Sequence, residues 1–69
     1  MTAEEFRAAI AALDLSQVGA AKLFGVNDRT ARRWASGDQD IPIAVALALW
    51  LMLKYKVSPA RAEALIHAR

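Results

Sequence analysis

The stretch from Gln17 to Ser36, QVGAAKLFGVNDRTARRWAS, constrains the fold of this chain more than any other. It reads as two short helices joined by a tight glycine turn. Gly25 stands where the chain must reverse, and glycine accepts the positive φ that such a turn needs. Ala20 and Ala21 fall where two helices must approach closely, and Phe24, Val26, Ala31 and Trp34 are spaced to pack between them. At about 100° per residue, Ala31 and Trp34 point towards the first helix of the pair. Arg29, Arg32, Arg33 and Ser36 then gather on the opposite side, with Asp28 and Thr30 flanking that face near the helix start. A helix-turn-helix whose second helix is basic outside has the shape and charge to enter a DNA groove.

The remaining sequence is helical too. Thr2-Ala3-Glu4-Glu5 fits a capping box, and Phe6, Ile10 and Leu13 follow at helical spacing, which predicts a first helix to about Leu13. Ser16 is the N-cap expected for a second helix over Gln17 to Phe24. Asn27 caps a third, from Asp28 to Ser36, which Gly37 stops. Asp38-Gln39-Asp40 is a polar loop. Pro42 suits the first position of a fourth helix reaching about Lys56, and Ser58-Pro59 starts a fifth that runs to about His67. Apolar positions nowhere alternate at strand spacing. The fold class expected is all-α: one compact five-helix domain over 1–69, with its helix-turn-helix at 16–36.

Sixty-nine residues sit near the lower limit for an independent core. With 57% apolar residues the chain is too hydrophobic to be disordered, and the surplus predicts burial against a second copy. The net charge of +2 is mild, but Lys22, Arg29, Arg32 and Arg33 against Asp28 concentrate positive charge on the helix-turn-helix. No cysteine is present, which excludes disulfides and thiolate metal sites. The opening residues do not read as a signal peptide. Ile41 to Leu53 is the longest apolar run and falls short of the roughly 20 residues that a bilayer needs. A soluble, cytoplasmic protein is the expectation. His67 has no second ligand at metal spacing, Ser16, Ser36 and Ser58 read as caps or helix ends, and the glycines are too scattered for a phosphate loop. Neither an enzyme nor a cofactor is expected.

Each residue of the motif carries two readings. Arg29 and Arg33 lie one turn apart, and an arginine fork bonds O6 and N7 of guanine together, which suits them to neighbouring base pairs. Asp28 is placed to accept from a cytosine amine, yet an acid in a first turn also complements the helix dipole. Ser16 and Gln17, at the start of the second helix, suit a phosphate, as do Lys22, Thr30 and Arg32. Three arginines on an isolated helix often form only a solvated face. The glycine turn and the packing residues ahead of them favour the DNA reading. The phase of Trp34 puts it in the core, not in a stack on a base.

Leu15 to Pro42, LSQVGAAKLFGVNDRTARRWASGDQDIP, resembles the Cro/C1-type (lambda-repressor-like) helix-turn-helix family. The likeness lies in the "LSQ" entry, the "LFGV" turn, the "TARRW" of the second helix and the trailing "G…P". It implies a five-helix lambda-repressor-like domain and transcriptional regulation. It also implies phosphate contact at Gln17 and base contacts at Asp28, Arg29 and Arg33. Small size and a long apolar fourth helix further resemble phage and plasmid regulators that accompany anti-CRISPR genes. One departure is plain. The loop after the third helix is often basic in such repressors, whereas Asp38 and Asp40 would repel phosphate. That loop either sits away from the DNA backbone or caps the fourth helix.

The fourth helix is apolar almost all the way round, which a monomer's surface helix would not be. Helices four and five, over 42–67, are expected to supply both core and homodimer interface. The candidates are Trp50, Met52, Leu53, Tyr55, Leu65 and Ile66. Two copies would read half-sites one helical turn apart, about 34 Å. The function expected is a dimeric repressor on an inverted-repeat double-stranded DNA operator. The alternatives are a protein-interaction module such as an antitoxin or adaptor, and an excisionase-like recombination accessory protein. No small-molecule substrate is expected.

Overall fold

Each helix of this chain begins at a side chain that caps it or at a proline. The computed structural model describes residues 1–68, which form α1 (Ala3–Ala12), α2 (Gln17–Phe24), α3 (Asp28–Ser36), α4 (Ile43–Lys54) and α5 (Pro59–His67), with no strand among them. The expected all-α, five-helix fold is what the chain adopts. Thr2 and Glu5 close a capping box: Glu5 N–H donates to Thr2 Oγ1 at 3.0 Å, and Thr2 N–H donates to Glu5 Oε1 at 2.8 Å. The backbone N–H of Thr2, with its hydroxyl and the amino terminus adding, holds the Glu5 carboxyl below the usual glutamate pKa. Ser16, Asn27 and Ser58 cap α2, α3 and α5 by the one-way bond, each side chain accepting from the N–H three residues along. Gly25 and Gly37 end α2 and α3 in the left-handed region, at φ 69° and 87°.

Two boundaries differ from expectation. Pro42 stands one residue outside α4, as its N-cap, because its ψ of 144° is extended and not helical. The helix stops at Lys54, short of Lys56, whose φ of 55° is left-handed. No side chain caps α4. Asp38 and Asp40 therefore do not cap it, and of the two roles open to that acidic loop this one is removed.

The core lies where α1, α3 and α4 meet, with the alanines of α2 drawn in. Phe6, Ala9 and Ile10 from α1, Ala20 and Ala21 from α2, Ala31, Trp34 and Ala35 from α3, and Val45 and Leu49 from α4 are all buried. Trp34 meets Phe6 edge to face, at 5.9 Å between ring centroids and 77° between planes. Ala20, Ala21 and Ala31 have no exposed surface, so small side chains stand at the contact of α2 with α3. Any larger side chain there would push the two helices apart. The Arg7 guanidinium donates to Ala35 O and satisfies one of the carbonyls left open at the end of α3. That bond ties the first helix to the third.

α5 departs by 120° from the direction of α4 and has no buried residue. No single described helix is long and apolar enough to cross a membrane; α4 and α5 reach that length only as a bent pair.

Candidate nucleic-acid interface

Burial of Ala31, Trp34 and Ala35 fixes which way α3 faces. With that side anchored, Asp28, Arg29, Arg32, Arg33 and Ser36 are all exposed on the other. The side-chain hydrogen bonds among the described residues fall on the N-caps, on Arg7 and on Ser36 at the end of α3, and none uses the guanidinium of Arg29, Arg32 or Arg33. Three cationic forks thus stand on one helix face, which suits an anionic partner with closely spaced acceptors.

The start of α2 contributes a second set of donors. Ser16 Oγ accepts from Gly19 N–H at 2.9 Å, which leaves its own proton free to donate. The backbone N–H groups of Gln17 and Val18, in the first turn, have no partner within α2. The Gln17 side chain is half-buried at this end, and Lys22 is exposed one turn further along. Together they make a patch that favours phosphate oxygen.

Thr30 does not fit its expected role as a phosphate donor. It is half-buried, and its hydroxyl donates to Asn27 Oδ1 at 2.9 Å, beside the Thr30 N–H bond to the same oxygen at 2.8 Å. Its proton is committed to the helix cap. Thr30 steadies α3, and the phosphate candidates reduce to Ser16, Gln17, Lys22 and Arg32.

The expected dimer face also divides. Trp50, Tyr55, Leu65 and Ile66 are exposed, whereas Met52 retains only 7% of its surface and Leu53 is half-buried against the core. Met52 and Leu53 serve the protomer itself, because they lie on the inward side of α4 with Val45 and Leu49. Ile43 and Leu47 take their place outside. Leu51, Tyr55, Leu65 and Ile66, with Leu23 and Phe24 of α2, line an apolar groove of about 460 Å³. Neither Leu23 nor Phe24 was expected there: sequence spacing assigns Phe24 to the α2–α3 contact and gives Leu23 no role. Arg7 was missed as well, and nothing local to it signals a bond to a residue in another helix. Among the described residues no three of His, Cys, Asp and Glu gather in one place. Neither a family model, nor a curated protein, nor a solved structure matches this chain.

Proposed function

We propose that this chain is a sequence-specific double-stranded DNA-binding regulator of the Cro/C1 type, acting as a homodimeric repressor on an inverted repeat. The observation that carries the reading is the uncommitted arginine face of α3, held outward by buried Ala31, Trp34 and Ala35. α3 lies in the major groove, where Arg29 and Arg33 read bases and Asp28 stands beside them at the helix start. Ser16, Gln17, Lys22 and Arg32 hold the flanking phosphates. Phosphate contacts give affinity that falls with salt, and each good arginine–guanine pair adds about 1–3 kcal/mol of discrimination. A protomer of 34 × 23 × 20 Å is of the size at which two copies side by side present equivalent helices about one DNA turn apart. Bound over a promoter, such a dimer blocks polymerase by occupancy.

Selection of bound sites from a random duplex library, run beside the Arg29→Ala/Arg33→Ala variant, tests this. The expected result is an enriched inverted repeat with half-sites about one turn apart, lost in the variant. No enrichment at low salt would overturn it. In that case the uncovered apolar side of α4 and α5 favours the second reading, a module that binds another protein.

A further inference from the structure

α4 leaves more apolar surface uncovered than its own domain accounts for. Its inner side buries Val45, Leu49 and Met52, yet Ile43 is 86%, Leu47 56% and Trp50 46% exposed. With Lys54, these residues form one stripe along the helix, spaced by four, three and four. That spacing is the same read from either end. Laid against a copy of itself running the opposite way, the stripe sets Leu47 against Trp50 of the partner protomer, and Ile43 against the partner's Lys54.

The charges at the two ends agree with this direction. Asp38 and Asp40 precede α4, while Lys54 and Lys56 stand at and just beyond its end, and all four are exposed. An antiparallel pairing brings each protomer's acids to its partner's lysines. A parallel pairing would put acids beside acids and lysines beside lysines, a repulsion that selects against it. The acidic loop, which caps nothing in α4, thereby gains a partner that is not DNA.

The area is sufficient. Ile43, Leu47, Trp50, Leu51, Tyr55, Leu65 and Ile66 expose between 45% and 86% of their surfaces. At roughly 200 Å² per side chain, full cover of all seven removes about 860 Å², against about 800 Å² per partner in a stable interface. Leu51 and Tyr55 join the stripe to the groove that Leu65 and Ile66 border, so the surface is continuous. We infer that a second copy of this chain covers α4 in antiparallel register, with the two-fold axis passing between Leu47 and Trp50. This rests on the dimer in the reading above and supplies its face and register.

Sedimentation equilibrium without DNA reads the mass, expected at twice the 7.5 kDa of one chain. Leu47→Glu gives a monomer that stays helical by circular dichroism. Leu47→Glu/Trp50→Lys places each new acid against a new lysine and associates at least tenfold more tightly than Leu47→Glu alone. The sequence has no cysteine, so Ile43→Cys and Lys54→Cys chains are clean probes for a short thiol cross-linker. Mixed, they link to each other; separately, they do not. A monomeric native chain, a double variant no tighter than the single one, or self-linking of Ile43→Cys overturns the inference. A dimer that selects no duplex sequence sinks the operator reading alone. A monomer that selects one sinks this inference together with the dimer of that reading and leaves only sequence-specific binding. A dimer that selects an inverted repeat but self-links through Ile43→Cys sinks this inference alone.

Discussion

Replacing Gly25 by alanine isolates the backbone contribution of the turn that launches α3. Gly25 has φ 69° and ψ 30°, and a Cβ built there meets nothing within 4 Å. The substitution therefore creates no collision, and its cost is that of a left-handed conformation for an L-residue, about 1–2 kcal/mol. Alanine also narrows the unfolded ensemble, which offsets about 0.4–1 kcal/mol, so the net loss is about 1 kcal/mol. With a urea dependence of about 1 kcal/mol per molar for a chain this small, the midpoint falls by about 1 M at unchanged slope. Gly25→Asn should lose less, because asparagine tolerates this region. Urea titrations followed by circular dichroism measure both. A loss beyond about 3 kcal/mol, or asparagine as harmful as alanine, would mean that space and not backbone conformation governs the site. No change for alanine would mean that the turn is not left-handed in solution.

Arg33→Ala should relax base preference at one position of each half-site, by about 1–3 kcal/mol, whereas Lys22→Ala weakens all sequences alike and lowers the salt slope by about one; binding titrations on matched and mismatched duplexes separate the two. Asn27→Ala removes the acceptor of both Thr30 bonds and should cost about 1–2 kcal/mol in urea unfolding, with helicity lost first from α3. Because Glu5 titrates below its ordinary value when folded, its cap stabilises fully above about pH 4.3 and fades as pH falls through that lower value. Glu5→Gln should flatten the acid limb of the stability profile, and an unchanged limb would remove Glu5 as its source.

The caps were legible because they are local: Thr2, Ser16, Asn27 and Ser58 each act on an N–H three residues along. Gly25 and Gly37 were legible for the same reason, and the outward face of α3 followed from the phase of Ala31 and Trp34. α4 was not so readable. A helix apolar all round has no periodicity to show which side goes inward, so only its neighbours decide that Met52 is covered and Ile43 is not. The Arg7 bond to Ala35 joins residues far apart in sequence, where neither pattern nor propensity reaches. Thr30 illustrates a third limit. Its position on the helix was right, but a hydroxyl proton donates once, and the nearer acceptor of its own cap has it.

The two tryptophans stand in opposite surroundings. Trp34 lies in the core with its indole Nε1 lacking a hydrogen-bond partner, and Trp50 lies half in water on the outer side of α4. An indole without a polar partner emits further to the blue than one in contact with water, so the two contribute separable light. Trp34 reports unfolding of the domain, and Trp50 reports whatever comes to lie on α4. One unlabelled chain therefore carries two optical channels: dilution of the folded protein should move the Trp50 light alone, whereas denaturation moves both.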